Sequence, residues 1–508
     1  MDFRARIRLL VIFFLLPLFT HHVAYTAVMP REWNFMTYMS NNNNLNRYGI
    51  TNFRQMVQVG SNANVNLLLQ MDTLGQKEIS RFYLGKNSPV LLSTQTNTPT
   101  SFSGTRDNLV DFTQWGTSNF PAAKTCLVLW NHGAGIKDPS IWGRTLDHWR
   151  DNLFVMNKET GLIELDRSKQ KKHELQQQEE ERGIAFNDAA SAYLTNEDLK
   201  ASLEYMSLTM LGGKKLDILT MDACHMAMVE VASQVKTAVK IMVASEEVEP
   251  GTGYNYVPAL SIFSRPGIDA QSAAVHFVGA YHAEYHSTLG DYTQSAVDLT
   301  YCDALEASIS RLANSLIALT GVSNAGDPVG FKMLRDIRFN RSLTTEFFDN
   351  DYIDFGHLCK SLITRAQAYL TTGLPGASAA TQRQLADAWN AIGISATESL
   401  TILQVMVLAN AVGRNLRNAT GLSIYFPITS VHSSYARTEF AKNTTWPAFL
   451  DRFIYMRFGG KSPSTEVTHT TKGCSEDCTQ ALPCTKIKEP KNVIVKTPFT
   501  YTISIQTS

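Results

Sequence analysis

With 508 residues, 44% of them hydrophobic, the chain can bury a large core, which excludes a disordered or fibrous protein and suggests roughly two to four domains. Lys plus Arg and Asp plus Glu number 46 each, so no overall charge draws it to nucleic acid or an anionic membrane surface. Recognition by charge has to be local.

The first residues, "MDFRARIRLLVIFFLLPLFTHHVAYTAVMP", place arginines before an apolar run at 9–19 and small residues at Ala24 and Ala27. This is the layout of a signal peptide over residues 1–27, and the run is short for a membrane span. An uncleaved anchor is the alternative, because no A-x-A site is present. No later stretch is long and apolar enough to span, so the mature protein is expected to be soluble, without a membrane span, and secreted or extracytoplasmic. Sequons at Asn340, Asn418 and Asn443 are compatible with glycosylation.

Short apolar runs at 33–39, 64–72, 126–133, 216–224 and 240–247 read as buried strands, rich in aliphatic and aromatic residues and ending in polar ones. Helical patterns fall between them. In "LTNEDLKASLEYM" (194–206), Thr195 is placed to cap a helix and Glu197 to sit in its first turn. Strand and helix in alternation imply an α/β fold, a mainly parallel sheet with helices on both faces. Functional groups in such sheets gather beyond the carboxyl ends of the strands.

Two of those ends carry chemistry. "CLVLW" finishes in "NHGAG", presenting His132 before glycines that let a ligand approach the backbone. "LDILTM" finishes in "DAC", presenting Cys224 beside Asp222. A histidine and a cysteine at two strand ends of one sheet can meet across its edge, giving a thiol nucleophile with a base. The stretch "HMAMVEVASQV" after the cysteine reads as a helix, which would put Cys224 near a helix N-terminus and lower its thiol pKa. His225 is the rival base, but adjacent side chains point apart. Of seven cysteines, an odd number for an oxidising compartment, Cys224 is the candidate free thiol. The bland alternatives stand beside these: a small buried cysteine, a loop histidine, and a capping carboxylate at Asp222.

These segments resemble the clostripain family of cysteine peptidases, relatives of caspases, legumains and gingipains. The resemblance covers roughly residues 31–455, through "WNFMTYMSNNNNL", "LVLWNHGAG", "YLTNEDLKASL", "LDILTMDACHMAMVEVA", "VASEEVEPGTGYNY", "GLSIYFP" and "WPAFLDRF". It implies a caspase-like fold and a cysteine endopeptidase acting through His132 and Cys224. The backbone N–H groups of Gly133 and Cys224 would form the oxyanion hole. Asp222 would sit in the S1 pocket and select substrates with a basic P1 residue, Arg or Lys. Ser245 and Glu246 would supply another pocket wall. Relatives often carry an Asp where this chain has four asparagines, so any carboxylate support there is weakened. Calcium is implied by kinship only, since no EF-hand loop is present; no other cofactor or metal is implied. Alternatives are a catalytically silent homologue binding peptides through the same cleft and a hydrolase of non-peptide amides.

Between the two site strands lies a charged segment, 151–183, which composition reads as a solvated helix or a disordered loop. The resemblance adds self-cleavage there, after basic residues. Residues 28–265 thus form the expected catalytic domain and 266–458 a mainly helical subdomain returning a strand to the core. Cys302 and Cys359 lie in its helical patterns as core residues. A tail, 459–508, carries Cys474, Cys478 and Cys484, for which disulfides are favoured over a zinc site with His469.

Overall fold

The structure, a computed structural model, describes residues 30–96, 102–137, 153–169, 184–187 and 192–459. The signal segment, the basic run at 170–183 and the three-cysteine tail lie outside the described residues.

The strands, in chain order, are β1 (Arg31–Met39), β2 (Val65–Asp72), β3 (Glu78–Gly85), β4 (Ser88–Thr96), β5 (Ala122–Trp130), β6 (Phe154–Met156), β7 (Ile163–Leu165), β8 (Ile184–Asn187), β9 (Ala192–Leu194), β10 (Leu216–Asp222), β11 (Val239–Ala244), β12 (Thr293–Asp298), β13 (Tyr352–Asp354), β14 (Val407–Val412) and β15 (Ser423–Tyr425). Nine of them form one sheet in the order β14-β12-β11-β10-β5-β1-β2-β3-β4. The central five, β11 to β2, are parallel; β12 with β14, and β3 with β4, extend the two sides antiparallel. Chain order reverses direction between β1 and β5, so a crevice is expected at their carboxyl ends.

The apolar runs are continuous because both faces of these strands are covered. In β1, Met36 and Tyr38 face one core while Trp33, Phe35 and Met39 face the other. In β5, Leu127 and Leu129 part in the same way from Cys126, Val128 and Trp130. The first core is closed by helices Arg106–Asn119, Asn196–Tyr205 and Cys302–Thr320, the second by Asn46–Val59 and Ala270–Tyr285. A fully buried leucine such as Leu127 contributes about 1.5–3 kcal/mol by leaving water. Helix Asn196–Tyr205 starts as its sequence predicts: Thr195 Oγ1 accepts from the Asp198 N–H at 3.0 Å, and Glu197 lies in the first turn.

Three details lie beyond the sequence reading. Within the mainly helical region, helix Ala379–Met406 stops and Val407–Val412 continue as strand β14 on the sheet edge. The apolar run fits either state, and pairing with β12 decides it. The late strand β15 pairs with β13 and is buried in the first core, outside the large sheet, to which residues 266–458 add β12 and β14. Finally, 153–165 is neither helix nor loose loop, and only Arg167–Lys169 make a short 3-10 turn. β6 and β7 form a hairpin closed by a turn in which the Gly161 N–H donates to Asn157 O at 2.8 Å. Arg167 then reaches Glu247 at 3.2 Å and Asp291 at 3.3 Å.

Candidate active site

Register builds the site. β5 and β10 pair in parallel with Trp130 opposite Asp222, and the Asn131 N–H continues the ladder to Asp222 O at 3.2 Å. His132 and Cys224 each lie two residues past this pair, so neighbouring strands end in the histidine and the cysteine at one level. Both line a cavity of about 310 Å³, with Gly133, Asp222, Glu249 and Gly253. Gly133 has to be glycine: a Cβ there would come 2.4 Å from Cys224 O.

Cys224 is half-buried, whereas Cys126, Cys302 and Cys359 are buried and burial raises all three thiols far above the ordinary range. The helix expected directly after Cys224 begins only at Val229, too far for its dipole to act on the sulfur. The thiol is met instead by a backbone donor, the Glu249 N–H at 3.4 Å from Sγ. The intervening turn is tight, and His225 takes the left-handed conformation at φ 59°, uncommon for a non-glycine residue. Its Nδ1 donates to Glu246 O at 2.9 Å, and its ring meets Tyr352 edge-on. That bond fixes the ring against the Glu246 backbone.

His132 is oriented by a residue that sequence inspection did not single out. Asn44 Oδ1 accepts from Nε2 at 2.7 Å, which leaves Nδ1 as the basic nitrogen. The other asparagines of the run shape the loop: Asn43 donates to Phe186 O at 3.0 Å and accepts from the Leu45 N–H at 2.9 Å. The carboxylate absent from this run comes from β2. Asp72 accepts from the Asn41 N–H at 2.5 Å, from Asn187 Nδ2 at 2.9 Å and from the Ser103 hydroxyl. Burial raises its pKa to about 6.

The acidic end of the cavity contains two carboxyls. Asp222 is buried, accepts from Tyr256 Oη at 2.8 Å, and lies within hydrogen-bonding reach of Glu249. Desolvation raises Asp222 to about 6 and Glu249 well above the carboxylate range, so the pair holds one proton near neutrality. Gly253, at φ 53°, lies against the pair; a Cβ there would fall 2.2 Å from Asp222 Oδ1. Asn52 ties this loop to the sheet, donating to Tyr254 O at 3.1 Å and accepting from Trp130 Nε1 at 2.9 Å. Lys137, the cavity's buried cation, is matched by Asp349 at 2.9 Å and Asp351 at 3.1 Å. The Asp222–Glu249 pair therefore leaves the cavity acidic.

Ser245 and Glu246, expected as pocket wall, are not among the cavity's lining residues. Both are fully buried. Ser245 Oγ bonds Thr293 Oγ1 at 2.9 Å, and Glu246 accepts from the Gly421 N–H at 3.1 Å. Their loop reaches the cavity later, through Val248 to Gly253. Among the described residues no group of three His, Cys, Asp or Glu side chains converges as a metal cage. Among the same residues no helix is long and apolar enough to cross a membrane.

The central parallel strands, the flanking helices and the cavity at the strand ends define a caspase-like α/β protein. The clostripain family model matches residues 37–150 and 160–452. The chain belongs to the clostripain family and is a cysteine peptidase. An inactive zymogen C11 protease from Parabacteroides distasonis is similar at 16% identity and TM-score 0.51, over 82% of this chain and 98% of that one. A secreted C11 cysteine protease from Bacteroides thetaiotaomicron, iotapain, is similar at 14% identity and TM-score 0.50, over 83% and 99%. A secreted C11 protease of that organism in complex with an irreversible peptide inhibitor matches at 16% identity and TM-score 0.50, over 82% and 99%. At these identities the likeness is one of fold. No curated protein matches the chain.

Proposed function

We propose that the protein is a secreted endopeptidase that hydrolyses peptide bonds after Arg or Lys, with Cys224 as nucleophile and His132 as base. His132 Nδ1 takes the thiol proton, the thiolate attacks the scissile carbonyl, and the Gly133 and Cys224 N–H groups receive the developing negative charge. The protonated imidazole then gives its proton to the leaving amine. Water, deprotonated by the same nitrogen, hydrolyses the thioester and restores the thiol. A P1 guanidinium or ammonium occupies the acidic end of the cavity against Asp222 and Glu249. Secretion is supported by the signal-like residues 1–27.

The observation that carries this reading is the equal register of His132 and Cys224, each two residues past the ends of β5 and β10, around a cavity whose excess charge is negative. A fluorogenic panel varied at P1 tests it. Wild type should turn over Arg and Lys members only; Cys224→Ala and His132→Ala should fall to background with unchanged melting temperatures. His225→Ala should retain most activity. Full activity in either of the first two variants, or preference for an uncharged P1, would overturn the assignment.

A further inference from the structure

We infer that the hairpin 153–165 forms one wall of an apolar subsite beside the nucleophile, which accepts a large apolar side chain, of the Leu or Phe class, at P2 of the substrate. The inference rests on the peptidase reading above and adds a second specificity site to it. Leu153, Phe154 and Ile163 of the hairpin line the cavity with Val248, Leu289 and Phe348. Leu153, Leu165, Val248 and Phe348 make a small buried cluster of their own, and Phe154 and Cys224 pack at its margin. Val248 precedes Glu249, whose N–H meets the thiol, so apolar surface starts one residue from the nucleophile's backbone contact.

The wall is firmly held. The Ile163 N–H donates to Thr288 O at 2.8 Å, and the Gly290 N–H to Ile163 O at 2.8 Å. The Leu165 N–H donates to Asp291 at 3.0 Å, and Arg167 closes the segment onto Glu247 and Asp291. None of the three hairpin residues on the cavity carries charge, whereas the acids Asp222 and Glu249 come from the end of β10 and the loop after β11. Successive side chains of an extended peptide leave it on opposite sides, so a P1 base in the acidic end sends P2 out of that pocket and onto apolar surface. Leu153 and Phe154 fall within 151–159, between the two stretches of the family match, whereas Ile163 lies inside the second stretch.

The test is a P1-Arg library varied at P2, read as kcat/KM with wild type, Phe154→Ala and Ile163→Ala, each checked for an unchanged melting temperature. Wild type should prefer P2 Leu or Phe over Gly or Asp by about tenfold or more, the scale on which apolar pockets discriminate. Either variant should lose most of that preference, its P2 Leu and P2 Phe rates falling toward its own P2 Gly rate. A flat P2 profile in wild type, an unchanged profile in both variants, or an equal rise on all substrates overturns the subsite; the last outcome would make the hairpin a cover. Absence of turnover on every member, with Cys224 inert to a P1-Arg chloromethyl ketone, overturns the parent reading as well.

Discussion

Asn44 Oδ1 stands 2.7 Å from His132 Nε2, across the gap between the ends of β1 and β5. The contact selects the tautomer in which Nδ1 can accept a proton. Without it, the ring can turn and present a protonated nitrogen to the thiol. Asn44→Ala is therefore expected to lower kcat by about 10- to 100-fold, part of the roughly 10²–10⁴ that a positioned base contributes, with little change in KM. Asn44→Asp should keep the orientation, restore much of kcat and move the histidine limb of the pH profile upward, because a carboxylate favours imidazolium. A structural asparagine would change KM and kcat together and leave the profile where it was.

The buried pair predicts how P1 recognition varies with pH. Burial holds Asp222 at about 6 with Glu249 above it. A carboxyl raised in the folded state favours the protonated form, so its contribution to stability is present below its ordinary value near 3.8 and is lost as pH rises through about 6. A P1 cation needs the ionised form. KM for Arg substrates should therefore fall as pH rises from 5 to 7, while KM for a citrulline isostere stays flat. Asp222→Asn should remove this limb and cost Arg substrates about 2–5 kcal/mol, the penalty for breaking a desolvated charge contact. Equal losses on Arg and citrulline would make Asp222 a structural carboxylate.

Gly253 gives an independent test of the same wall. Its φ of 53° favours glycine, and a Cβ would strike the Asp222 carboxylate. Gly253→Ala should push Asp222 off its Tyr256 contact, with at least about 1 kcal/mol of backbone strain. Arg turnover should drop while Cys224 still reacts with a small alkylating agent. Wild-type kinetics in this variant would show that the wall is not packed as described.

The sequence made the central strands legible because strands buried on both faces are apolar throughout, and their polar ends pointed to His132, Cys224 and Asp222. Helix Asn196–Tyr205 was legible from its cap. Asn44 and Glu249 were not, since their importance comes from approach to residues far along the chain. Nothing local in "NNNNL" says which asparagine meets an imidazole. β14 was hidden because a sheet edge recruits residues that fit a helix equally well. The hairpin left a signal that total charge obscured: Leu153, Phe154, Ile163 and Leu165 flank the turn Asn157–Gly161. The tight turn at His225 delays the helix after Cys224 to Val229, and only the backbone conformation reveals it.

Self-processing is the outcome expected of the proposed basic P1 selectivity, given the placement of the basic residues around this segment. Arg167 is poorly placed for cleavage: its guanidinium is engaged by Glu247 and Asp291, and its chain is fastened at Leu165. Lys169 pairs with Asp166 at 3.5 Å, whereas Lys158 lies exposed beside the hairpin turn. Arg150, Lys171, Lys172 and Arg182 lie outside the described residues. Wild type should be cut after Lys158 or one of those four, and never after Arg167. The fragments should stay together, because β5 pairs with β1 on one side and β10 on the other, and separate only in denaturant. Arg167→Ala strips the cation from two buried acids and should cost about 3 kcal/mol, the low end for breaking a buried ion pair, while leaving the cut site unchanged. Cys224→Ala should remain one chain between 28 and 459. N-terminal sequencing of the two wild-type bands decides the matter: a junction at 167/168 would show that Arg167 is not shielded by Glu247 and Asp291, and the same cut in purified Cys224→Ala would show that processing is not the enzyme's own act.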